Sequence, residues 1–181
     1  TDNAAAPVAE DKIAFQLANC MTVELWSKPG HFTANITIAY AVGGRDEAKG
    51  QSGFSHLIEH LMFQGTRAIK NWFRMAGTMG AQTNAQTQRD LTLYTQNMPI
   101  SMLETALQLE ADRMTHLDLT PEKVAREIRT VLNEKTRGDS NPYANVAPTL
   151  YKLLFAKERN RSNVIGIQAD IERATVDNLK P

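Results

Sequence analysis

Cysteine is almost missing from this chain. A single residue, Cys20, in 181 excludes an internal disulfide and leaves no thiolate cluster to hold a metal. Its expected place is that of a small buried side chain. No stretch approaches the ~20 consecutive apolar residues of a membrane span. An excess of one charge is lacking too. Twenty basic residues balance twenty acidic ones, so nothing marks a nucleic acid or an anionic membrane as a partner. Repeats and long low-complexity segments are absent. The chain opens without an initiator methionine or a signal peptide, and its start reads as a processed one. What remains is ordinary globular material, 42% hydrophobic and 22% charged, long enough for one core.

Residues Thr1 to Lys12 are polar and alanine-rich, which predicts a mobile tail. Ile13 to Leu17, Thr22 to Leu25 and Thr33 to Val42 read as strands. In the third, Phe32, Ala34, Ile36, Ile38 and Tyr40 alternate with Thr33, Asn35, Thr37 and Ala39, as on a half-buried strand. Asn19-Cys20 sits where a hairpin would turn, and a turn requiring positive φ would strain Cys20. A short helix is predicted around Asn71 to Met75, strands within Gln82 to Asn97, and helices over Pro99 to Leu117 and Leu150 to Lys157. Strands followed by helices without βαβ alternation point to an α+β fold: an antiparallel sheet with helices packed on one face.

The chemistry concentrates in His56-Leu57-Ile58-Glu59-His60, the H-x-x-E-H order of an inverzincin. On a helix, His56 and His60 lie about 40° apart, so both imidazoles leave the same face one turn apart. Glu59 falls roughly 80° to one side, beside a shared ion without having to bind it. Metal-assisted hydrolysis needs this pairing of an ion with an adjacent base. Chance produces the pattern in about half a percent of such chains. Two imidazoles and a carboxylate among Leu57, Ile58, Leu61 and Met62 need compensation for lost hydration, and a metal provides it. His31 in a Pro-Gly-His turn and His116 at a helix end read as structural or solvated, and Arg67 and Lys70 as surface charges.

Thr120 to Arg137 predicts another helix, with Thr120 as N-cap and Pro121 at its first position. Val124, Ile128, Val131 and Leu132 recur at helical spacing, and Gly138 to Pro142 ends the run. Glu127 and Glu134 share a flank of that apolar stripe. From the pattern alone, Glu134 stands open between a third metal ligand and one charge of a solvated acidic stripe.

His56 to His60 followed by Leu61-Met62-Phe63-Gln64-Gly65-Thr66 resembles the pitrilysin–insulinase family of zinc metallopeptidases. The likeness extends through Gly44-Arg45-Asp46-Glu47, Gly50 to Gly53, Asn84-Ala85-x-Thr87, Asp90-x-Thr92-x-Tyr94 and Leu109 to Met114. It continues through Ile165-Gly166 and Asp170-Ile171, covering about residues 13 to 181. The resemblance implies one zinc ion per chain held by His56, His60 and Glu134, with Glu127 orienting that set. Glu59 would be the general base on a zinc-bound water. Three protein ligands leave a fourth position open, as in catalytic rather than structural zinc sites.

The resemblance further implies an edge strand at Asn84 and Ala85 that receives an extended, unstructured peptide. It also implies a second homologous domain or subunit completing the active site, and a catalytic domain over 13–181 that stops short of its last strand. The element His-Pro-Tyr expected near Arg159 to Asn163 is replaced by Arg159-Asn160-Arg161-Ser162-Asn163. The implied setting is periplasmic or otherwise exported in a bacterium, with the mitochondrial matrix as the alternative. A non-catalytic scaffold or partner subunit is the competing class, disfavoured because all five metal-site positions are retained.

Overall fold

A computed structural model describes residues 11–156 and 163–180. The chain begins with a hairpin of β1 (Asp11–Gln16) and β2 (Thr22–Ser27), paired antiparallel from Asp11↔Ser27 to Gln16↔Thr22. Asp11 and Lys12 therefore belong to a strand, and the rest of the expected tail, 1–10, lies outside the described residues. Cys20 turns this hairpin at φ 67°, the strained conformation foreseen for it, which costs about 1–3 kcal/mol. Its side chain is exposed, against the expectation of burial, because a hairpin tip has no second layer over it.

β3 (Thr33–Tyr40) follows, then α1 (Phe54–Met62), α2 (Trp72–Thr78), β4 (Gln82–Thr87) and β5 (Thr92–Pro99). The three strands form a separate antiparallel sheet in the order β3-β5-β4, which leaves β4 on an edge. The α+β architecture stands, with the sheet divided in two. Ile36 is buried and Ala34, Ile38 and Tyr40 half-buried, while Thr33, Asn35, Thr37 and Ala39 face solvent. Phe32 drops out of this alternation. It precedes β3 and is 85% exposed, its carbonyl accepting from Ile100 N–H.

A 3₁₀ turn at Ile100–Met102 leads into α3 (Leu103–Thr115), so the predicted Pro99 to Leu117 helix starts on a tighter turn. α4 (Pro121–Asp139) begins where its signals placed it, the Thr120 hydroxyl accepting from Lys123 N–H at 3.3 Å. α5 (Val146–Leu154) starts four residues before the predicted Leu150, and Lys157 and 159–162 lie outside the described residues. The short α6 (Gln168–Ile171) and α7 (Val176–Leu179) close the described chain, α7 with a capping box between Thr175 and Asn178.

Two cores organise these layers. Phe54, Leu57 and Leu61 of α1 meet Val124 and Val131 of α4, with Ile171, Ala174 and Leu179 beneath. Leu57 and Leu61 are fully buried, each stabilising by about 1.5–3 kcal/mol. Helical spacing then fixes the consequence: with that face of α1 committed to the core, His56 and His60 emerge about 100° away. The second core joins Ile36, Met98 and Ala106, packing α3 on the sheet.

Beside it lies a buried ion pair. Arg113 donates to both Glu110 carboxylate oxygens at 2.7 Å, its guanidinium 4.2 Å from the Trp72 ring centroid and 4.7 Å from that of Tyr94. Gln96 of β5 donates to the same carboxylate, so the pair stitches α3 to the sheet.

Candidate metal centre

Three anchors set the entry of α1. Glu47 spans the helix start, Oε2 accepting from Gly53 N–H and Oε1 from Ser55 N–H, both at 2.8 Å. A carboxylate there also faces the positive end of the helix dipole. Asp170 Oδ2 accepts from Ser52 N–H at 3.1 Å and its hydroxyl at 2.8 Å. The third anchor is a backbone crossing at Gly53 and Gly166. A Cβ on Gly166 would lie 2.3 Å from the Ser52 carbonyl oxygen, and one on Gly53 2.6 Å from that of Ile165. Segments more than 100 residues apart thus close on one helix N-terminus.

From this base α1 and α4 bring three donors together. His56 Nε2 lies 3.7 Å from Glu134 Oε2, and His60 Nε2 lies 3.4 Å from the same oxygen. All three ligand atoms fall within 4.8 Å of one another, among the described residues a set able to hold a metal ion. Zinc bonds of about 2.0–2.1 Å in a tetrahedron put donors about 3.3–3.4 Å apart, so the residues fit that ion. His56 Nδ1 is buried without a hydrogen-bond partner, and His60 Nδ1 faces the Glu127 carboxylate at 3.5 Å. Glu127 is in turn held by Arg126 Nε at 3.4 Å.

The electrostatics differ between the two rings. Burial and the neighbouring His60 push the His56 pKa down, against the pull of Glu134 and Glu59. Burial also presses His60 down, but Glu127, Glu134 and Glu59 outweigh it and the net shift is upward. Carboxylates thus converge on a point where one positive charge is welcome.

An open cavity of about 400 Å³ lies over these groups, lined by His56, Glu59, His60 and Glu134 with Ala85 and Thr87 on the sheet side. The cavity thus lies between α1, α4 and the edge strand β4. Glu59 is 9% exposed and accepts from the Thr87 hydroxyl at 2.5 Å. Ala85 and Thr87 share the half-buried face of β4, whereas Asn84 projects from the exposed face and is not among the lining residues. Glu134 is half exposed, at the rim, while Glu127 is buried behind His60. The sequence motifs included Thr87, Asn163 and Ile165 but gave none of them a role at the site, and Gln86 and Val164 also line the cavity. The alternation of β4 could have paired Thr87 with Ala85.

A family model described as Insulinase (Peptidase family M16) matches residues 22–166. Over 163 residues the chain is 28% identical to the zinc protease PqqE of Helicobacter pylori, covering 88% of this chain and 36% of that protein. It is 27% identical over 165 residues to a probable mitochondrial-processing peptidase subunit beta of Schizosaccharomyces pombe, covering 90% of this chain and 36% of that one. Among solved structures, a protease from Helicobacter pylori superposes with a TM-score of 0.87 at 25% identity, over 94% of this chain and 42% of that one. The chain therefore spans about two-fifths of the length of these relatives. No helix among the described residues is long and apolar enough to cross a membrane.

Proposed function

The chain belongs to the insulinase family of peptidases, Peptidase family M16, and from that premise we propose that it is the zinc-holding half-unit of a metalloendopeptidase. The observation that carries the reading is the triangle of His56 Nε2, His60 Nε2 and Glu134 Oε2, with edges of 3.4 and 3.7 Å to the carboxylate, directly beside Glu59. Those three residues would hold the ion. A bound zinc ion supplies Lewis acidity, polarising a carbonyl and bringing the pKa of water towards about 7.

The protein's own groups do the rest. Glu59 takes the proton of the attacking water and, once protonated, delivers a proton to the leaving amine. Glu127 orients His60 through Nδ1, a task that carboxylates behind metal-bound histidines commonly perform. The edge strand β4 receives an unstructured peptide as an added strand, whose main-chain hydrogen bonds are indifferent to sequence. Ala85 offers little bulk there, and Asn84 contributes from the exposed face of the same strand. A second homologous domain completes the active site, in keeping with relatives more than twice this length. The exported space of a bacterium is the proposed compartment, and the mitochondrial matrix the alternative.

Zinc analysis together with peptide cleavage tests this reading. One zinc per chain is expected, lost in His56→Ala, His60→Ala and Glu134→Gln. Glu59→Gln keeps the metal and loses hydrolysis in the complete protein. Wild-type turnover in that variant overturns the role of Glu59.

A further inference from the structure

The hydroxyl of Thr87 donates to Glu59 Oε2 at 2.5 Å, joining the edge strand β4 to the helix that carries the two histidines. Glu59 reaches the cavity through three rotatable bonds, so its carboxylate needs an anchor to keep one orientation. Thr87 is suited to be that anchor. Its β-branched side chain is stiff at χ1, which lowers the entropy lost in holding the hydroxyl in place.

Its backbone is also held on both sides. Thr87 pairs with Thr92 across the β4–β5 ladder, and the adjoining turn closes with Gln88 N–H on the Leu91 carbonyl at 2.7 Å. Gly44 N–H and Arg45 N–H bond the carbonyls of Gln88 and Arg89 at 3.1 and 2.7 Å. The same loop runs on to Glu47, which caps α1. The start of the helix bearing Glu59 and the end of the strand bearing Thr87 are thus tied through one loop, and the 2.5 Å bond closes the circuit.

We propose that Thr87 is a positioning residue for the general base: by occupying Oε2 it fixes the Glu59 carboxylate against β4 and leaves Oε1 to receive the proton. This inference rests on the reading of Glu59 as the base. It assigns the last residue of the edge strand a task in the chemical step, distinct from that of Ala85 two residues earlier.

The test compares Thr87→Val, Thr87→Ala, Thr87→Ser and Glu59→Gln in the complete zinc-loaded protein. Val keeps the shape and Ala does not, but both remove the donor, whereas Ser restores it. The expected result is a kcat loss of about tenfold to a hundredfold in both Val and Ala variants, with recovery to within about threefold in Ser. KM stays within about twofold and zinc content at wild type, because neither substrate seating nor the ligand set depends on the bond. A crystal structure of Thr87→Val is expected to show the Glu59 carboxylate turned away from β4.

Wild-type kcat in both Val and Ala variants, an equal loss in Ser, or a Glu59 carboxylate left in place in Thr87→Val would overturn the proposal. Glu59→Gln separates the two levels. If it is inactive while Thr87→Val runs at full rate, the Thr87 role fails alone; if it retains turnover, the base assignment itself fails.

Discussion

Replacing Gly166 by alanine places a methyl group where the chain has no room for one. The added Cβ would lie 2.3 Å from the Ser52 carbonyl oxygen and 2.6 Å from Gly53 Cα, against ordinary contacts beyond 3.4 Å. Both are backbone atoms, so no rotamer change relieves the clash. The position also has φ +80°, which costs an alanine about 1–2 kcal/mol. Overpacking adds about 1–3 kcal/mol, for a total destabilisation of about 2–5 kcal/mol.

The damage should reach the metal centre, since Ser52 and Gly53 lead directly into α1 and the wall at 163–165 precedes Gly166. Urea unfolding followed by fluorescence reads it, Trp72 being buried and Trp26 exposed. Gly138→Ala is the control: this glycine lies in α4 with nothing near its would-be Cβ, so alanine should stabilise by about 0.5–1 kcal/mol. A Gly166→Ala protein within about 0.5 kcal/mol of wild type would refute the account of how the α1 entry is held.

Arg113→Ala should destabilise by about 3–5 kcal/mol, because it leaves Glu110 buried without its cation, and thermal unfolding would show a minor effect if the pair were dispensable. Zinc affinity should fall as pH drops, since His60 holds its proton more tightly than an ordinary histidine and must release it to bind metal. The weakening therefore sets in above pH 6.5, and competition titrations giving a flat profile down to that value would contradict the carboxylate field around His60. Ala85→Leu should raise KM with zinc content unchanged, by filling the peptide side of the cavity, and kinetics identical to wild type would remove β4 from substrate binding. The 181-residue chain by itself should bind zinc with little or no peptidase activity, and vigorous cleavage would dispose of the need for a second half-unit.

Local signals made much of this legible. The spacing of His56, Glu59 and His60 and the Thr120-Pro121 start of α4 are written within a few residues, and the structure follows them. The β3 alternation likewise predicted which residues turn inward, apart from Phe32, which precedes the strand. The strain at Cys20 was readable from its place in the turn, but its exposure was not, because exposure depends on what lies over the hairpin. The same limit hid the division of the strands into two sheets, which pairing over distance decides.

The two α4 glutamates divide instructively. Reasoning from the apolar flank suits Glu127, buried behind His60, but Glu134 is half exposed at the rim, and its nearness to both rings was visible only through the resemblance. Thr87 and Glu59 are 28 residues apart with no local pattern linking them, as are Ser52 and Asp170 at 118. Contacts of that kind exist only once the helix has docked on the sheet.

The most direct measurement is crystallographic: anomalous diffraction across the zinc absorption edge from zinc-loaded crystals of the protein. One zinc peak per chain is expected, at about 2.0–2.2 Å from His56 Nε2, His60 Nε2 and a Glu134 carboxylate oxygen, with Glu59 unbound beside it and hydrogen-bonded to Thr87. A peak elsewhere, a coordination shell lacking Glu134, or Glu59 as a direct ligand would contradict it.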